Sequence, residues 1–259
     1  MSTLPEAPRP TTTRQRATDA FLALGRPLLR ISFALYQLEV RRNLYPRDAL
    51  VDTVYGPDPE RLLFVGDVAA SGHGVLSHGL TVASRTAAIM AGESGRGMSW
   101  SVIAETNLTL AALLARPRLG AEGVEVAFVL LGIPDVLLIT RSEDWARDLA
   151  LLARRIQDES GRGSSGCRVL VAGVPPLSDF RPISATLRRI ITKQVDRLNA
   201  VSSDVATSTP GLTFVPFPAW RIGDMYIKQL FSWKALHETW AQSLAAAVAG
   251  GAAGGKPKE

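Results

Sequence analysis

Apolar positions along this 259-residue chain follow two patterns. Short, near-continuous apolar runs at 62–66, 99–103, 124–131, 168–173 and 212–216 predict strands. Between them, apolar residues recur every three or four positions near 77–92, 107–116, 142–159 and 183–205, which predicts helices. A last helix over 232–248 places Trp233, Leu236, Trp240, Leu244 and Val248 on one face. The runs "VEVAFVLL" and "RVLVAG" barely alternate, as expected of strands covered on both faces of a parallel sheet. Five such strands with intervening helices predict an α/β protein, a three-layer α/β/α sandwich. In such sheets ligands sit beyond the carboxyl ends of the strands. The residues to inspect are therefore Gly66-Asp67-Val68, Ala104 to Leu108, Gly132 to Asp135, and Val174-Pro175-Pro176.

The flanks read differently. Residues 1–17 open with a Pro/Thr-rich stretch and are expected to be disordered. Residues 18–60 comprise an amphipathic helix to about 42, with a kink at Pro27, and a Pro-rich linker over 43–60. The domain proper is expected over 61–249, followed by a flexible Gly-rich tail over 250–259.

Composition narrows the classes. With 46% apolar and 20% charged residues, the chain has a globular composition. The single cysteine, Cys167, excludes an intramolecular disulfide and favours a reducing compartment. No Cys/His spacing suggests zinc, and no metal or cofactor is expected. The net charge of +5 is mild, but arginines gather at the front: Arg9, Arg14, Arg16, Arg26, Arg30, Arg41 and Arg42. Such a cluster suits an anionic membrane surface as well as plain solvent. Nucleic acid is not an expected partner, because no nucleic-acid motif is present and no aromatics interleave with the basic cluster. The apolar stretch from Phe21 to Tyr36 is broken by Arg26, Pro27 and Arg30, so neither a spanning helix nor a signal peptide is expected. A cytoplasmic location follows as an expectation, with peripheral membrane contact through residues 18–44 left open. The oligomeric state is not readable.

The strand ends carry a recognisable series. "LLFVGDVAASGHGV" runs from a strand into Gly-Asp and a Gly-rich loop; "FVLLGIPDV" and "VLVAGVPPL" follow in order; "KQLFSWKALHETWAQSLA" closes the chain. Together they resemble the SGNH/GDSL hydrolases (GDSL-like lipases and acylhydrolases) of actinobacterial type, over roughly residues 20–248. The resemblance implies a flavodoxin-like sheet and acyl-transfer chemistry. There a Ser after Gly-Asp attacks an ester, a His takes its proton, and an Asp orients the His. Backbone N–H groups and an Asn form the oxyanion hole.

Carried across residue by residue, those roles are vacant. Val68 stands at the nucleophile, Asn107 at the oxyanion Gly, Pro134 at the oxyanion Asn, Phe231 at the His and Lys228 at the Asp. The scaffold positions Gly66, Asp67, Gly72, Gly132 and Asp135 are kept. Losing the Ser or His of such a triad alone costs about 10⁶ in turnover. The resemblance with these vacancies predicts a non-catalytic protein that binds an acyl, acetylated-sugar or lipid ligand.

Other chemistry stays open. Ser71 with His73 is an alternative nucleophile and base, which would leave an active esterase or acyltransferase. Against it, a loop serine commonly satisfies backbone groups. His237 on the last helix is expected to be at the surface or half-buried. Asp67 and Asp135 read as loop supports more than as an acid–base pair. Gly72-His73-Gly74 could form a small anion nest. Ser142 reads as the N-cap of its helix, with Glu143 and Asp144 in the first turn. Cys167 reads as a buried hydrophobe.

Overall fold

The computed structural model describes residues 27, 30–179, 183–219, 226–227 and 230–253. A front helix, α1 (30–42), is followed by β1 (Thr53–Val54), β2 (Glu60–Gly66), α2 (Val82–Ser94), β3 (Met98–Ala104), α3 (Leu110–Leu114) and β4 (Val126–Leu130). Then come α4 (Ile133–Leu137), α5 (Ser142–Ser160), α6 (Gly163–Gly166), β5 (Arg168–Ala172), α7 (Ala185–Ser208), β6 (Leu212–Val215), the small pair β7 (Tyr226–Ile227) and β8 (Leu230–Phe231), and α8 (Trp233–Ala253).

The five expected strands are all present and mutually parallel, in the order β3-β2-β4-β5-β6. The chain thus starts its parallel sheet in the interior and reverses direction across it. The crevice between β2 and β4 is the switch point at which such folds place ligands. The sheet has a sixth member that periodicity missed. β1, inside the stretch read as irregular linker, pairs antiparallel with β3 through Thr53–Ser99 and Val54–Met98.

Alternation along the strands builds the two faces. Leu63, Val65, Ala127 and Val129 point to one layer, with α5 and α7; Leu62, Phe64, Val126 and Phe128 point to the other, with α2 and α8. Phe64 and Phe128 stack at 4.6 Å between ring centroids. Helix α1 joins the first layer: Tyr36 and Val40 are buried in the same cluster as the sheet residues. The front segment is therefore packed into the core and is not a detached appendage.

Three local readings need correction. Arg141, not Ser142, is the N-cap of α5, and it makes no side-chain cap bond. Ser142 lies within the first turn, where its hydroxyl accepts from Arg197 Nε. Helix α8 continues through Ala253, into the stretch read as tail. His237 is buried, not at the surface. The readings for residues 1–26 and 254–259 lie outside the described residues, as does Lys228. Cys167 is fully buried.

Candidate functional site

Strand β2 ends at Gly66 and delivers Asp67, Val68 and Ala69 to the switch-point crevice. Asp67 is fully buried and acts as a clamp. One carboxylate oxygen accepts from Ala69 N at 3.0 Å; the other accepts from Gly132 N at 3.0 Å and Ile133 N at 2.8 Å. It thereby ties the loop after β2 to the start of α4. Gly132 holds φ +138, and a Cβ there would sit 2.4 Å from Val174 Cγ2. Burial pushes the Asp67 carboxyl up to about 7, against the three N–H donors that favour its charge. Asp135 does the same one layer out. It accepts from Leu110 N at 3.1 Å and from the Thr140 hydroxyl at 2.8 Å, and burial raises it to about 6. Both carboxylates have their oxygens turned to protein donors.

A cavity of ≈ 110 Å³ opens beside the end of β2. Val68, Ala69 and Ile133 line it from the sheet end, Tyr36 and Val40 from α1, and Trp233, Leu236, His237 and Trp240 from α8. Of the vacant positions, Val68 faces this cavity. Asn107 is exposed in the turn after β3, and Pro134 is buried within α4. Phe231 belongs to β8, paired with Tyr226.

Two histidines also line the cavity, and their ring nitrogens are committed elsewhere. Asn43 Oδ1 accepts from Leu44 N at 2.8 Å, which orients its amide so that Nδ2 donates to His73 Nε2 at 2.8 Å. His73 Nδ1 must then carry the proton, and it donates to the Tyr45 hydroxyl at 3.2 Å. Tyr45 in turn donates to Val40 O at 3.1 Å. His237 Nδ1 accepts from Val82 N at 3.2 Å, so its Nε2–H donates to His73 O at 3.0 Å. Both rings are neutral under this network. Burial, with the nearby His237, lowers His73 to about 4, and burial also lowers His237.

Ser71 donates to Val68 O at 2.9 Å. No hydrogen bond joins it to His73 among the described residues; the Tyr45 hydroxyl, which burial pushes up to about 12, holds His73 Nδ1 instead. The Gly-rich loop is shaped by packing. Gly74 has φ +79, its N–H donates to Leu44 O at 2.9 Å, and a Cβ there would lie 2.1 Å from Trp233 Cγ. That N–H is spoken for, so the loop offers an anion one donor fewer than the nest reading assumed. Trp233 packs edge-on to His73 at 4.6 Å between centroids.

Trp240 lines the cavity, but its one polar side-chain atom is closed off from it. Trp240 is 3% exposed, and its indole Nε1 is buried without a hydrogen bond among the described residues. Sequence reasoning used Trp240 only as a mark of the last helix. It passed over Tyr36, Asn43 and Tyr45, whose links to the cavity span about 30 residues or more and have no local signature.

No protein-family model matches the chain, and no curated protein matches it. Solved structures do. A lipase from a goat rumen metagenome is 14% identical with a TM-score of 0.56, covering 73% of this chain and 97% of its own. A GDSL-like lipase from Parabacteroides merdae is 13% identical with a TM-score of 0.55, covering 76% of this chain and 98% of its own. An acetylxylan esterase from Geobacillus stearothermophilus, in a catalytic mutant form, is 12% identical with a TM-score of 0.53, covering 74% and 94%. These likenesses establish that the chain has the α/β/α fold of GDSL-like lipases and acetylxylan esterases.

Proposed function

We propose that this chain is a non-catalytic member of the SGNH/GDSL hydrolase superfamily that binds a short acyl group in the cavity beside Val68. The observation that carries the reading is the engagement of both cavity histidines. A serine hydrolase needs a hydroxyl beside an imidazole nitrogen that is free to take its proton. Here Val68 stands at the strand end, and the accepting nitrogens of His73 and His237 already receive Asn43 Nδ2–H and Val82 N–H.

The cavity's chemistry narrows the ligand. A dry apolar cavity of about 150 Å³ holds a benzene ring. A volume of ≈ 110 Å³ with a largely apolar lining suits a short aliphatic chain.

A second reading is an active esterase or acyltransferase with Ser71 as nucleophile, since Ser71 and His73 share the loop after β2. That reading requires His73 to release Asn43 and change tautomer. Hydrolysis of p-nitrophenyl acetate and butyrate by the purified protein, with Ser71→Ala alongside, decides between the two. Turnover no greater than buffer supports the binding reading. Turnover that vanishes in Ser71→Ala overturns it.

A further inference from the structure

Helix α1 has two apolar faces. The inner one carries Tyr36 and Val40 into the core. On the opposite side Ile31, Leu35 and Leu38, spaced four and three apart, are 61%, 54% and 51% exposed. Leu44 extends this apolar surface beyond the helix end. Among the described residues, exposed large apolar side chains concentrate here: seven of eleven lie between Ile31 and Tyr55. A folded domain ordinarily exposes such residues singly, and a contiguous stripe marks an interaction surface.

The charges around the stripe choose the partner. Arg30, Arg41 and Arg42 lie on the same helix, which has Glu39 as its one acidic residue. All three residues are exposed, and none makes an ion pair among the described residues. Arg47, just beyond, is exposed as well. An apolar stripe bordered by uncommitted arginines fits the headgroup–acyl boundary of an anionic bilayer. A protein groove would need no such excess of one charge. No described helix is long and apolar enough to cross a membrane, so the contact would be in the plane of the interface.

We propose that α1 docks this protein on anionic phospholipid surfaces, with Ile31, Leu35 and Leu38 entering the acyl boundary and the arginines meeting lipid phosphates. The inner face of the same helix forms one wall of the cavity, so docking sets the cavity about one helix diameter, roughly 10 Å, from the lipid. The docking inference does not depend on what the cavity holds.

The test is co-sedimentation of the full chain with vesicles of phosphatidylcholine alone and of phosphatidylcholine with phosphatidylglycerol. Binding should favour the anionic vesicles at least 10-fold and weaken with salt. Leu35→Glu with Leu38→Glu should reduce it at least 10-fold, and Arg41→Glu with Arg42→Glu should abolish the preference for anionic lipid. All four side chains are exposed, so each variant should keep the wild-type melting temperature and far-ultraviolet dichroism. Three results would overturn the proposal: no binding to anionic vesicles at low salt, binding unchanged in Leu35→Glu/Leu38→Glu, or a protein dimer, dispersed by those variants, in place of vesicle binding.

Discussion

Truncating Tyr36 asks whether the front helix belongs to the domain. The side chain is 8% exposed, packs into the main cluster and donates its hydroxyl to Thr106 O at 2.8 Å. A buried aromatic covers roughly 150–250 Å². At about 25 cal/mol per Å² that corresponds to roughly 4–6 kcal/mol of transfer free energy. Aromatic-to-alanine changes in cores cost about 3–5 kcal/mol. Tyr36→Ala should therefore destabilise the protein by about 4 kcal/mol. Tyr36→Phe keeps the ring and loses one hydrogen bond to a half-buried carbonyl, which costs about 1 kcal/mol. Urea unfolding followed by far-ultraviolet dichroism reads both values from the shift in midpoint at constant slope. The gap between the two variants, about 3 kcal/mol, isolates packing from hydrogen bonding. A cost below about 0.5 kcal/mol for Tyr36→Ala, the range of surface substitutions, would refute the placement of α1 in the core.

Gly74→Ala puts a Cβ against Trp233 at a position with φ +79, and should cost about 3 kcal/mol or more; an unchanged melting temperature would rule out that packing. His73 is held at about 4, below its ordinary 6.5, so its contribution is complete above 6.5 and is lost as pH falls through 4. The stability gap between wild type and His73→Gln should close by about 3 kcal/mol from pH 7 to pH 4, and parallel profiles would contradict the shift. Asp67 works in the opposite sense: its raised carboxyl favours the fold below its ordinary value and loses that contribution as pH rises toward 7. Asp67→Asn should then gain on wild type between pH 4 and 7, measured by the same urea midpoints. Trp240→Phe shortens a side chain that is 3% exposed and leaves a void in the core, so it should cost about 1–3 kcal/mol; an unchanged urea midpoint would contradict that packing.

The sheet was legible because strands covered on both faces leave uninterrupted apolar runs, and β2, β4 and β5 are such strands. The two-residue β1 has no room for a period, so its pairing with β3 could not be read. Helix α4 was hidden for a similar reason: five residues, preceded by Gly132 and with Pro134 second, carry no helical repeat. At the site, the position of Val68 at the end of β2 followed from motif order. The tethering of His73 did not, because Asn43 and Tyr45 reach it from 30 and 28 residues away. Ser142 shows how a correct residue type can mislead. Its hydroxyl serves Arg197, 55 residues on, and leaves the helix start uncapped by a side chain.

The pairing of β1 with β3 bears on where this chain can be cut. Thr53 and Val54 cover the open hydrogen-bonding edge of β3 at Met98 and Ser99, and Asp52 O accepts from Trp100 N at 2.9 Å. Without them β3 becomes a bare strand margin, the kind of edge on which a second molecule can continue a sheet. A fragment begun at Arg61, where the apolar pattern starts, would keep all five parallel strands yet lose this cover, along with the wall that α1 gives the cavity. Such a fragment should form intermolecular sheet and precipitate, whereas one begun a few residues before Asp52 should not be driven to this edge association. The short strand serves as a guard against self-association.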